Sequence, residues 1–128
     1  MVDQQSTAEH LFDDDTKVFL QQKVQTLVRW DLIRFFHDNP HTKDIADKIA
    51  EFIGRDILIV ERELDGLVYS GILQVEEKSG LRIYHLAKDD LVRETINNFM
   101  QACHNHEFRA EAIHYVIQEM QDSNHNNP

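Results

Sequence analysis

The sequence predicts a mainly α chain with one small β-hairpin and a long helix towards its C-terminus. Three observations predict it. Apolar residues recur three and four apart over Thr42 to Ile53 and again over Val60 to Val68, with Gly54 between the two runs. The period then falls to two over Ile72 to Glu77 and Leu81 to Leu86, on either side of Lys78-Ser79-Gly80. From Asp89 to Gln121 the three-and-four spacing returns with no proline or glycine to interrupt it.

Taken in order, Met1 to Thr16 is polar and acidic, with only Leu11 and Phe12 as an apolar pair ahead of Asp13, and it reads as a flexible arm. The three aspartates Asp13 to Asp15 suit the positive end of a following helix and are too few and too close for a metal loop. Lys17 to Asn39 is expected as one long helix, with Leu20, Val24, Leu27, Val28, Leu32, Phe35 and Phe36 on its apolar side and Asn39-Pro40 as its stop. Val18, Phe19, Trp30 and Ile33 widen that side, which fits either a broad core face or contact with a second subunit. Trp30 lies beside Arg29, but core packing accounts for it better than base stacking.

In the central stretch, Ile45, Ala46, Ile49, Phe52 and Ile53 form the apolar stripe of a helix that Gly54 ends. Asp56 is placed to cap a second helix whose apolar positions are Val60, Leu64, Leu67 and Val68, and Gly71 ends it. Gly66 costs that helix about 1 kcal/mol relative to alanine, which points to close approach of another element. Ser79-Gly80 supplies the positive φ that a short hairpin loop needs.

The run from Ile49 through Gly54-Arg55-Asp56, Val60 to Val68, Tyr69-Ser70-Gly71-Ile72-Leu73 and the hairpin resembles the winged helix-turn-helix superfamily. It is similar in particular to prokaryotic regulators of the arsenic-repressor and multiple-antibiotic-resistance-repressor types. The resemblance implies a DNA-binding transcriptional regulator acting as a homodimer, whose second helix enters the major groove while the wing tip meets the backbone. Groove-facing positions then fall at Arg55, Asp56, Leu58, Ile59, Arg62 and Tyr69, with Lys43 at the start of the preceding helix, Lys78 at the wing tip and Arg82 on its return strand. Leu58 and Ile59 depart from the polar residues usual at such positions. They suit either late entry into the helix with packing in the core or contact with another protein, so a protein-interaction module that does not read DNA is the alternative.

Charge bears on the same choice. The chain carries 13 basic and 23 acidic residues for a net charge of -10, and residues 1 to 41, 42 to 87 and 88 to 128 hold -3, -3 and -4 of it. An even acidic balance repels a phosphate backbone unless cations are gathered locally.

The last segment carries Val92, Ile96, Phe99, Cys103, His106, Ala110, Ile113, Ile117 and Met120 at alternating spacings of four and three, as in a heptad seam. As one helix, residues 89 to 121 would extend about 50 Å, beyond what a small core covers, and a second copy would supply the partner. The alternative breaks the helix at His104-Asn105-His106 and folds Phe108, Ile113, Val116, Ile117 and Met120 back on the same chain.

Other classes find no support. His104, Glu107, Glu111 and His114 could line one helix face, but an exposed polar face gives the same row, and no metal is expected. Four glycines, no phosphate loop and no nucleophile elbow leave no case for an enzyme or a bound cofactor. The single cysteine, Cys103, is expected as a buried hydrophobe in a reducing, cytoplasmic setting, and no apolar run suggests a membrane span. The segments expected are an arm over 1 to 16, a winged-helix domain over 17 to 87, a dimerisation helix or helical hairpin over 88 to 121, and a disordered tail over 122 to 128.

Overall fold

Local turn chemistry and one non-local strand pairing set the architecture. The computed structural model describes residues 12 to 126. Its elements are α1 (Asp14–Phe19), a π-helical turn (Leu20–Val24), α2 (Leu27–Asp38), β1 (Lys43–Asp44), α3 (Ala46–Ile53), α4 (Ile57–Tyr69), β2 (Leu73–Lys78), β3 (Leu81–Leu86), α5 (Asp90–Ala102) and α6 (His106–Asn126). The chain is thus mainly α with a small antiparallel sheet and a long C-terminal helix, as the sequence predicts.

The α3–turn–α4 unit forms as its punctuation dictates. Gly54 adopts φ 74° and ψ 38° at the end of α3, the left-handed conformation that glycine enters without steric cost. Asp56 then caps α4, accepting hydrogen bonds from the Leu58 and Ile59 amides at 3.0 and 3.2 Å. The hairpin pairs Lys78 with Leu81 across Ser79 and Gly80, whose φ values of 54° and 80° are those of a type I′ turn. One strand was not expected: Lys43 and Asp44 pair with His85 and Tyr84, so β3 lies in the middle of a three-stranded sheet. Thr42 to Ile45 are therefore not helical, and α3 begins at Ala46.

The chain divides into two compact units where the sequence suggests one core. The first comprises residues 28 to 97, whose interior gathers Trp30, Leu32, Ile33 and Phe36 from α2, Ile49 and Ala50 from α3, and Val60, Leu64 and Leu67 from α4, with Leu73 and Tyr84 from the sheet. Burial of Trp30 settles its role as packing. The second unit comprises the described residues up to 27 together with those from 98 onward. An aromatic cluster runs through it: Phe19 lies against Phe99, Phe99 against Phe108, and Phe108 against Phe12, with centroids 5.1, 6.1 and 5.8 Å apart.

Two helices expected to be continuous are not. The helix over Lys17 to Asn39 is broken at Gln25, which takes φ 63° and donates its amide to the Leu20 carbonyl at 2.8 Å. That five-residue bond widens the turn before it, and a non-glycine residue at positive φ ends the helix there. The second break falls at Asn105, whose Oδ1 accepts the Phe108 amide at 2.8 Å and so starts α6 afresh. The rings of Phe99 and Phe108 meet at 6.1 Å, whereas nine residues of straight helix would carry them about 13 Å apart. A single helix over 89 to 121 is therefore ruled out, and the alternative break at His104-Asn105-His106 is what forms. Helix α6 runs to Asn126, so most of the expected disordered tail is helical, and α1 begins at Asp14 within the expected arm. The rest of that arm, residues 1 to 11, lies outside the described residues. No helix among the described residues is long and apolar enough to cross a membrane.

Candidate nucleic-acid interface

The helix–turn–helix, β1 and the hairpin hold all nine residues that sequence reasoning assigns to a duplex, but they present them unequally. Arg62 lies on the outer side of α4 with its side chain 74% exposed and its Nη2 3.6 Å from Glu63 Oε2. Lys43, which falls in β1 rather than at a helix start, and Lys78, at the end of β2, are both exposed.

Arg55 and Arg82 are already engaged. Arg55 sits in the turn after α3 and donates through Nε and Nη2 to one oxygen of Asp31 on α2, at 2.9 and 2.5 Å. Arg82, on β3, donates through Nη2 to Asp65 Oδ1 on α4 at 2.7 Å and through Nε to the Tyr84 hydroxyl at 3.2 Å. The Tyr84 hydroxyl in turn donates to Asp65 Oδ1 at 2.6 Å. These bonds, to Tyr84 first and Asp65 next, raise the Arg82 guanidinium above its usual range, while burial and then the Asp65 bond raise the Tyr84 phenol.

Leu58 and Ile59 are not core residues. Leu58 is 72% exposed and Ile59 is also exposed, so late entry into the helix with packing in the core is excluded. The helix starts at Ile57, one residue after its Asp56 cap, and this turns both side chains outward. Tyr69 is exposed too, as is Phe52, which was expected on the buried stripe of α3 and instead packs against Phe35 at 5.0 Å.

Several polar residues that sequence patterns do not reveal brace this face. Glu63 lies on the buried side of α4 and accepts from Arg29 Nε at 2.6 Å, with side chains 7% and 15% exposed. The close approach expected at Gly66 is Arg29 itself: a Cβ on Gly66 would stand 2.1 Å from its Nη2. His85 is buried in β3, with Nδ1 3.0 Å from the Leu86 carbonyl oxygen and Nε2 3.1 Å from Glu76 Oε2. The only sequence signal for Arg29 and Glu63 was the glycine whose place they fill.

The expected dimerisation seam is divided. Ile96, Phe99 and Cys103 are buried in their own chain, Val92, Ile113 and Met120 are half-buried, and His106, Ala110 and Ile117 are exposed. The buried row of α6 is Phe108, Ala112 and Val116. Among the described residues no three His, Cys, Asp or Glu side chains gather as metal ligands.

Comparison of the chain with protein-family models, with curated proteins and with solved structures gives no match.

Proposed function

We propose that the chain is a winged-helix transcriptional regulator that binds duplex DNA as a homodimer in the cytoplasm, with no catalytic role and no cofactor. The observation that carries the proposal is Arg62, 74% exposed on the second helix of a helix–turn–helix that a hairpin follows. The element order supports it as well, because a short strand before the first helix of the motif pairs with the return strand of the hairpin. In this arrangement the start of α4 enters the major groove, Arg62 holds a guanine edge or a phosphate, and Lys43 and Lys78 hold backbone phosphates on either strand.

Binding to a random duplex, followed by fluorescence anisotropy across a salt series, tests it. Each neutralised phosphate contributes about -0.9 to the slope of log affinity against log salt, so three cations give roughly -2.7 and five roughly -4.5. Arg62→Ala should weaken binding and flatten the slope by about 1. No binding at low salt would overturn the proposal. Self-association is part of it and draws on Ala110, Ile113, Ile117 and Met120, which keep three-and-four spacing on an accessible part of α6. Sedimentation of the full chain should approach twice 15.1 kDa as concentration rises, and Ile117→Asp should return the monomer.

A second reading is favoured by Leu58, whose 72% exposure at the leading end of α4 offers an aliphatic surface to a protein partner, with Ile59 beside it. Leu58→Asp and Ile59→Asp would then abolish capture of that partner, and a chain that binds no duplex would still be captured by it.

A further inference from the structure

Among the arginine–carboxylate pairs of residues 28 to 97, three are hydrogen-bonded at 2.5 to 2.7 Å, and burial sorts these three into two kinds. Arg29–Glu63 is enclosed, with side chains 15% and 7% exposed. Arg55–Asp31 and Arg82–Asp65 are open, their arginines 41% and 43% exposed. In the open pairs the carboxylate sits on guanidinium N–H groups, the groups with which arginine grips a phosphate oxygen.

From this geometry we propose that Asp31 and Asp65 act as internal stand-ins for phosphate: they hold Arg55 and Arg82 in the unbound chain and compete with the duplex for them. The inference rests on the duplex-binding proposal above and adds two residues that set its strength. The exchange leaves neither carboxylate stranded. Asp31 keeps Arg34, whose Nη2 lies 3.6 Å from its other oxygen, and Asp65 keeps the Tyr84 hydroxyl. Exposed pairs of this kind are weak enough to be displaced, and removing the competitor is worth about twofold to fivefold in affinity for each arginine.

The competition also reconciles the charge of the chain with its cations. Pairing occupies two of the cations on this face, so the chain binds a duplex only where local phosphate density outbids the carboxylates. Added salt screens the internal pairs and the duplex alike, but the duplex contacts, being more numerous, weaken faster.

The test is a mutant square on the full chain, read as affinity for a random duplex at about 50 mM salt. Asp31→Asn should tighten binding twofold to fivefold when Arg55 is present and leave it unchanged in an Arg55→Ala background. Asp65→Asn should do the same with Arg82 and fail with Arg82→Ala, the asparagine oxygen still accepting the Tyr84 hydroxyl. Equal tightening in both backgrounds would reduce the effect to long-range charge and overturn the inference. So would wild-type binding that neither asparagine improves. Absence of binding by every chain would instead overturn the duplex proposal itself. Circular dichroism shows whether each variant is folded, and should Asp65→Asn lose its fold, the Asp31 and Arg55 square decides alone.

Discussion

Gly66→Ala puts two opposed effects in one position. Helix propensity alone favours alanine over glycine in the interior of α4 by about 1 kcal/mol. Against that, the new Cβ would stand 2.1 Å from Arg29 Nη2 and 2.6 Å from Cζ, where ordinary contact is about 3.5 Å. The guanidinium is the flexible end of its side chain, but it is not free to swing, because Nε is fixed 2.6 Å from a Glu63 carboxylate that is 7% exposed. Displacing it by more than an ångström leaves that carboxylate buried with its nearest charge withdrawn, a loss of about 3 to 5 kcal/mol when complete. The net expectation is a destabilisation of about 2 to 4 kcal/mol, which lowers a urea midpoint by roughly 1 to 2 M. In an Arg29→Ala, Glu63→Gln background the obstruction is gone, and the same alanine should stabilise by up to about 1 kcal/mol. Equal effects in the two backgrounds, or a neutral result in the wild-type chain, would refute the claim that Arg29 is what requires glycine at position 66.

Cys103 should be nearly inert to a thiol reagent in the native chain at pH 8 and react fast in denaturant, because burial pushes its thiol up to about 11. The native state then holds the proton more tightly, so stability is whole below the unfolded value near 9 and is lost as pH rises from there through about 11. Asp13→Ala should fray α1 by about 0.5 to 1 kcal/mol, read as loss of helical circular dichroism, since Asp13 Oδ1 accepts the Thr16 amide at 2.9 Å. That amide bond, the largest cause, lowers the Asp13 carboxyl below 3.8, so its capping persists at neutral pH and disappears as acid protonates it; the Thr16 amide resonance should titrate below 3.8. Tyr84→Phe should cost about 1 to 2 kcal/mol in a denaturant titration by removing a buried hydroxyl that bonds both Asp65 and Arg82.

The parts of the fold that were legible in the sequence are those decided within a few residues. Gly54, Asp56 and Ser79-Gly80 each force or cap one backbone conformation, and the helix–turn–helix and hairpin follow from them. What was illegible is non-local or disguised. Strand β1 is two residues long and exists only because His85 and Tyr84 lie opposite, so no run of side chains announces it. The breaks at Gln25 and Asn105 occur at residues that helices tolerate, in segments whose apolar spacing continues across them. At the candidate interface the residue types and positions were readable, but their pairing was not: Arg55 and Asp31 are 24 residues apart, and Arg82 and Asp65 are 17 apart.

Periodicity misled at the C-terminal segment for a physical reason that also shapes the dimer proposal. A spacing of alternating fours and threes records which residues would share a face if the helix were continuous, and carries no information on whether it is. Asn105 breaks the continuity, and the seam then serves two purposes. Ile96, Phe99 and Cys103 are spent on the chain's own interior, whereas Ala110, Ile117 and the half-buried Ile113 and Met120 follow the break on a helix whose buried row is a different one. Dimerisation through α6 therefore needs only a short apolar stripe, far less than the 50 Å seam that the unbroken helix implied, and association should be correspondingly weak. A sedimentation series in which dimer appears only as concentration rises is the expected signature, and a dimer that survives both extreme dilution and Ile117→Asp would place the contact elsewhere.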